Sequence, residues 1–284
     1  MLKRTISGAV YVALVAGFFL LRQFVDYRLF SAFIWFFCAV GSFEVARAVK
    51  NHTDNFTFIL SVISGILFVP EYALFNYYLT PGLGYLAALA FLMLIVIIAE
   101  VYTLSTKRDI KFFGISVLPV LYPSLLLLTT LLANDVMPTM KGFLATLLIF
   151  VISPLSDTFA YLVGMTYNKI RKGNAKKMCP RLSPKKTWAG AIGGIIGGMV
   201  GGVIIYFIFL ETIKVLEIPL YVFILLGFGA SILTEAGDLF ESGIKRKVGI
   251  KDMGKIMPGH GGVMDRIDGM SFASVLIALV FLFI

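Results

Sequence analysis

The chain has 284 residues, 59% of them apolar and 14% charged, and its mean hydropathy is +0.92. Soluble domains run about 45–50% apolar and about 25% charged. A soluble globule, a disordered chain, a collagen-like repeat and a disulfide-stapled secreted scaffold are therefore excluded. What remains is an all-α, polytopic integral membrane protein. The two cysteines, Cys38 and Cys179, stand far apart in sequence and imply no disulfide or zinc framework.

A membrane-crossing helix needs about 20 mostly apolar residues. Nine stretches qualify, at about 6–21, 29–49, 57–79, 82–104, 113–133, 143–166, 188–210, 218–241 and 265–284. The first follows Lys3 and Arg4, as a signal peptide would, but ends in Leu20-Leu21-Arg22 with no small-x-small cleavage site. It is read as a retained helix. The third is interrupted by Pro70 and Glu71, which predicts a kinked helix or two pieces.

The formal charge of +9 suggests nucleic acid until its distribution is examined. With the N-terminus counted as loop zero, even-numbered loops and their flanks hold 21 of the Lys and Arg residues, and odd-numbered loops hold 4. The latter are Arg22, Arg28, Lys141 and Lys214. By the positive-inside rule the N-terminus is cytoplasmic and the C-terminus outside. The basic charge is thus mainly a topology signal, and no nucleic-acid partner is expected. The chain divides into N-terminal helices over 1–140 and C-terminal helices over 141–284, with no soluble domain and no obvious internal repeat. The longest polar segments, 167–187 and 242–264, both fall on the cytoplasmic side, where a water-soluble substrate would be handled.

Carboxylates inside spans are costly and point to function by default. They are Glu44, Glu71, Glu100, Asp157, Glu235, Asp238 and Glu241, with Asp265 and Asp268 at the start of the last helix. Glu44 and Glu100 read equally well as functional carboxylates or as ones that merely reach the interface or pair with a neighbouring lysine. Glu71 reads as structural. In the eighth helix Asp238, Ser242 and Lys245 project within about 40° of Ser231, and Glu235 and Glu241 flank Asp238 at about 60° on either side. Such a face cannot meet lipid. It serves either as a structural polar seam between helices or as a site for a hard divalent cation such as Mg²⁺, which prefers oxygen ligands.

The segment after that helix mixes cations (Lys245, Arg246, Lys251, Arg266), glycines (Gly261, Gly262) and Asp252, Asp265 and Asp268. Glycines let backbone N–H groups approach phosphate, and Lys and Arg neutralise it. An ordinary positive-inside loop explains the lysines but not Pro258-Gly-His260-Gly-Gly or Asp265-x-x-Asp268. His260 alone reads better as a positioning residue than as a general base. Upstream, Ser183-Pro-Lys185-Lys186-Thr187-Trp188 precedes a helix; Ser183 or Thr187 is expected to cap it, and the lysines to sit at its anion-favouring start. Gly190, Gly194, Gly198 and Gly202 form a small-xxx-small packing stripe, within one subunit or across a homodimer. Asp157, beside Pro154 and Ser156, is expected at a break in the sixth helix.

Ser242-x-x-Lys245-Arg246, Lys251-Asp252 and Pro258-x-His260-Gly261-Gly262-Val263-x-Asp265-Arg266-Ile267-Asp268 closely resemble the signature of phosphatidate cytidylyltransferases, also called CDP-diacylglycerol synthases. Met257 departs from the Leu, Ile or Phe of that pattern, a conservative swap. Ser183-Pro-Lys-Lys-Thr-Trp and Asp157-Thr-x-Ala-Tyr161 are similar to the family as well, so the likeness is strongest over about 150–268. The resemblance implies transfer of CMP from CTP to phosphatidic acid with Mg²⁺, alone or with a second, monovalent cation, for phospholipid synthesis. It implies Asp238 and Asp265 as principal metal ligands, with Asp268, Asp157 and Glu241 in support. Lys186, Lys245, Arg246, Lys251 and Arg266 would contact phosphates. Ser242, Asp252, His260, Gly261 and Gly262 would shape the pocket, with Ser183, Lys185 and Thr187 beside the substrate. A bacterial inner membrane with the site facing the cytoplasm is expected. The alternatives are a secondary transporter, disfavoured because the carboxylates crowd to one side without a repeat, and another CTP-dependent lipid phospho- or nucleotidyltransferase.

Overall fold

A computed structural model describes residues 2–80, 82–105, 113–136, 139–256 and 261–284. Among the described residues eight helices are long and apolar enough to cross a membrane. The first expected span falls in α1 (Leu2–Phe24), whose apolar stretch Gly8–Phe24 is shorter than the other eight. The remaining spans lie in α2 (Leu29–Ala48), α3 (Asn55–Ala73), α4 (Leu83–Ser105), α5 (Phe113–Asp135), α6 (Thr139–Ile170), α7 (Trp188–Ile208), α9 (Leu220–Lys247) and α10 (Met264–Phe283); α8 is the short helix Leu210–Val215. Both cysteines are free.

The chain forms two compact units: residues 1–132 with 248–267, and residues 133–247 with 268–284. In the first, the core is built on α2. Phe30, Phe33 and Phe37 recur on its inner face and meet edge to face or tilted, while from α1 Phe18 stacks on Phe33 and Phe19 meets Phe30 at a tilt. Asp54 caps α3 by accepting from the Thr57 N–H at 2.7 Å. The helix runs through Pro70 and passes directly into a π-helical turn over Leu74–Leu79. The expected interruption is therefore a change of hydrogen-bond register downstream of the proline, which donates no N–H and crowds the preceding turn.

In the second unit α7 packs between α6 and α9, and its glycines make this possible. A Cβ on Gly193 would meet Val163 at 2.6 Å, and one on Gly197 would meet Phe159 at 2.6 Å, both on α6. A Cβ on Gly198 would fall on Ser231 and one on Gly202 on the Phe223 carbonyl, both on α9. The stripe thus packs within one subunit. Ile192, Ile196, Val200 and Ile204, on a different face of α7, are exposed apolar side chains suited to lipid.

Two local expectations are corrected. Pro154 does not break α6, which is continuous for 32 residues; Asp157 projects from an intact helix. The segment before α7 is a two-stranded antiparallel hairpin, β1 (Lys177–Cys179) and β2 (Ser183–Thr187). Ser183 and both lysines therefore lie on a strand rather than at a helix start. Thr187 alone caps α7, accepting the Gly190 N–H at 3.0 Å.

Candidate active site

The expected site residues fall into two groups, one in each unit. The group in the second unit surrounds a cavity of about 530 Å³ lined by Asp157 of α6, Ser183, Lys185, Lys186 and Thr187 of β2, and Glu235 and Asp238 of α9. The hairpin brings the lysines there. Its register pairs Lys177 with Thr187, and the Trp188 N–H donates to the Lys176 carbonyl at 3.2 Å, so β2 enters α7 in a fixed orientation.

Lys186 occupies the centre. Its Nζ lies 2.5 Å from Glu235 Oε2 and 2.7 Å from Asp238 Oδ2. Burial by itself would lower its pKa, but Asp238 and Glu235 outweigh that cost and hold it above the ordinary lysine value of 10.5. Asp238 also accepts from the Ser242 hydroxyl at 3.3 Å, one helical turn along α9. Asp157 makes no ion pair with any described residue, although the charges of Asp268, Asp238, Lys186 and Glu235 all act on it. The sequence places Glu235 on the polar face of α9 but gives it no role in the site. Its signal was its place three residues before Asp238 on the polar face of α9.

Further along α9, Lys245 pairs with the buried Glu241 at 2.9 Å, and the Arg246 guanidinium donates to the Leu182 carbonyl at 3.3 Å. Neither Lys245 nor Arg246 lines the cavity. Asp268 lies within hydrogen-bonding reach of Glu241, carboxyl to carboxyl. Glycines permit this approach. A Cβ on Gly237 would meet the Asp268 carbonyl at 2.8 Å, and one on Gly269 would meet Thr234 at 2.7 Å.

Among the described residues no three His, Cys, Asp or Glu side chains form a ready-made metal site. Magnesium needs less: it is commonly held by one or two carboxylates, with waters and substrate phosphates completing the shell. Two carboxyl groups in contact also require a shared proton or a cation. Lys245 supplies one such cation to Glu241; Asp268, Asp157 and Asp238 add oxygen donors of the kind a partly hydrated hard cation takes, and they form no all-protein cage.

The group in the first unit is the signature segment. Asp265 Oδ2 accepts the N–H groups of Met253, at 2.9 Å, and Gly262, at 2.7 Å. Gly261 has φ +67, and a Cβ there would meet Asp265 Oδ2 at 2.7 Å, so glycine is required both by conformation and by space. Lys251, Asp252 and Arg266 are exposed. His260, with Pro258, lies outside the described residues. Gly261 and Gly262 lie against the protein's own carboxylates. One of these is Glu44 of α2, for which the sequence leaves a functional role and a merely interfacial one equally open. It is buried and accepts the Met264 N–H at 2.8 Å.

Fold and site together define an integral membrane protein with a polar, cation-centred cavity formed by a hairpin and two long helices. The chain belongs to the cytidylyltransferase family, whose model matches residues 2–284. It is similar to the phosphatidate cytidylyltransferase of Thermotoga maritima, with 32% identity over 158 residues, 55% of this chain and 56% of that protein. The protein of the same name from Brucella abortus is 37% identical over 138 residues, 49% of this chain and 47% of its own. That from Mycobacterium bovis is 38% identical over 130 residues, 46% of this chain and 38% of its own. The chain thus spans about half the length, or less, of these curated relatives.

Proposed function

We propose that the protein transfers CMP from CTP to phosphatidic acid, giving CDP-diacylglycerol and pyrophosphate, at the cytoplasmic face of a bacterial inner membrane. The observation that carries this reading is Lys186 held between Glu235 and Asp238, beside Asp157, in a family of cytidylyltransferases. A cation fixed by two carboxylates is already oriented and needs little rearrangement to meet a polyphosphate.

Asp238 and Asp157 would hold Mg²⁺, with Asp268 and Glu241 behind them; the resemblance adds Asp265 from sequence. When bound, the ion neutralises phosphate charge and helps pyrophosphate leave. Lys186 and Lys185 bind phosphate oxygens. Asp238 and Glu235 keep Lys186 protonated and aimed into the cavity. The phosphatidate phosphate attacks the α-phosphorus of CTP, and the bond to the β-phosphate oxygen breaks. A phosphate monoester is largely ionised near neutral pH, so no strong general base is needed.

The test is purified protein in detergent with phosphatidic acid, labelled CTP and Mg²⁺. A lipid-soluble cytidine product and pyrophosphate are expected, both lost with EDTA and with Asp265→Asn or Asp238→Asn. Product that persists in EDTA would overturn the metal chemistry, and no product from folded protein would overturn the reaction.

A further inference from the structure

Glu44 is a carboxylate of the N-terminal half, 1% exposed, and its contacts lie in the signature segment more than 200 residues away in sequence. Its Oε2 accepts the Met264 N–H at 2.8 Å, and the Val263 N–H also donates to the carboxylate. Met264 is the first residue of α10 and Val263 immediately precedes it, so neither N–H has a partner inside the helix. Glycine occupies the two positions pressed on this carboxylate. A Cβ on Gly254 or on Gly262 would fall directly on the Glu44 oxygens. Gly262 is also one of the two N–H donors to Asp265. The chain of contact is short: Glu44 holds 262–264, and the same backbone holds Asp265.

We infer that Glu44 is a positioning residue for the signature segment, reaching from α2 to set the backbone that orients Asp265. Its consequence for catalysis rests on the proposed cytidylyl transfer; its consequence for the loop does not. Hydrogen bonds to a charged acceptor are stronger than neutral ones, so losing them should accelerate amide exchange locally by about tenfold or more. The role requires an acceptor, not a charge.

The experiment compares Glu44→Ala, Glu44→Gln, Gly254→Ala and the double variant Glu44→Ala with Gly254→Ala. Hydrogen exchange over 253–264 and over α7 is read alongside kcat and KM for CTP. Glu44→Ala is expected to speed exchange over 253–264, leave α7 unchanged, and lower kcat/KM. Glu44→Gln keeps an oxygen acceptor and should stay close to wild type on both readouts. Gly254→Ala displaces the carboxylate without removing it and should reproduce the Glu44→Ala loop, which covers the case where Glu44→Ala fails to fold. In the double variant the methyl gains room, so its losses should be smaller than the sum of the single losses. Unchanged exchange in Glu44→Ala, additive losses in the double variant, or a Gln variant as damaged as Ala would each overturn the inference. A wild-type protein that makes no CDP-lipid would overturn the proposed reaction, while the exchange results would still decide the role of Glu44.

Discussion

Lys186 is stabilised by two carboxylates and is 20% exposed at its side chain, against 8% for Glu235 and 35% for Asp238. Removing it leaves two carboxylates facing each other. The penalty for breaking a buried pair is large, but solvent reaches Asp238 and screens part of it, leaving about 1–3 kcal/mol. Lys186→Ala should therefore lower the melting temperature as well as abolish turnover. Adding Glu235→Gln should restore much of the stability and none of the activity, which separates the two roles in one thermal scan and one assay. The pH dependence has a definite sign. The folded pKa is raised, so this contribution is complete below the unfolded value of 10.5 and is lost as pH rises through the folded one. Wild type should lose melting temperature above about pH 10.5 more steeply than Lys186→Ala, and equal slopes would contradict the pairing. At this scale the sequence singles out Lys186, Asp238 and Glu44 alike, but not what Glu44 holds, because the partners of Glu44 are backbone N–H groups. Any residue except proline supplies such a group, so nothing in the sequence identifies them.

Among the elements, the long helices are legible because a bilayer demands apolar runs of fixed length. The hairpin was not. Lys177–Cys179 and Ser183–Thr187 are too short and too polar to show an alternating pattern, and Pro184 argues against a strand; only pairing to each other reveals them. The glycine stripe of α7 was visible, but its division between two partners was not. Within the stripe Gly190 serves α6, Gly194 meets both α6 and α9, and Gly198 and Gly202 serve α9; Gly193 and Gly197, beside the stripe, add further contacts to α6. That division makes a prediction. Gly198→Ala forces a methyl onto Ser231 and should cost about 1–3 kcal/mol by overpacking. Gly17→Ala, in α1 with nothing within 4 Å of its Cβ, should be neutral or gain up to about 1 kcal/mol from helix propensity. Melting in detergent distinguishes the two; equal effects would mean that α7 does not pack as described.

For the whole molecule, the charge asymmetry of 21 against 4 sets the expected orientation, and labelling tests it. In a background lacking Cys38 and Cys179, cysteines at the exposed positions Asn174 and Lys255 should react with an impermeant maleimide in inverted vesicles and not in intact cells. The reverse pattern would invert the topology and move the site to the outer face. The membrane fold and the cytidylyltransferase family were legible from composition and one 27-residue signature together. The fold alone would have left a transporter equally open.

The continuous α6 of 32 residues is about 48 Å long at 1.5 Å per residue. The hydrocarbon core is about 30 Å thick, so a substantial part of this helix stands outside it or the helix tilts. Asp157 lies 13 residues before the helix end at Ile170, about 20 Å along the rod, so its depth follows how the rod sits in the bilayer. Bilayer thickness then becomes a control variable. In thicker membranes the rod stands more upright and the cavity sinks towards the acyl chains; in thinner ones it tilts or rises clear of them. A reaction between a lipid phosphate and a water-soluble nucleotide would pass through an optimum as the chain length of the surrounding lipid is varied. With the proposed reaction, the protein would thereby sense the thickness of the membrane to whose lipids its product would contribute.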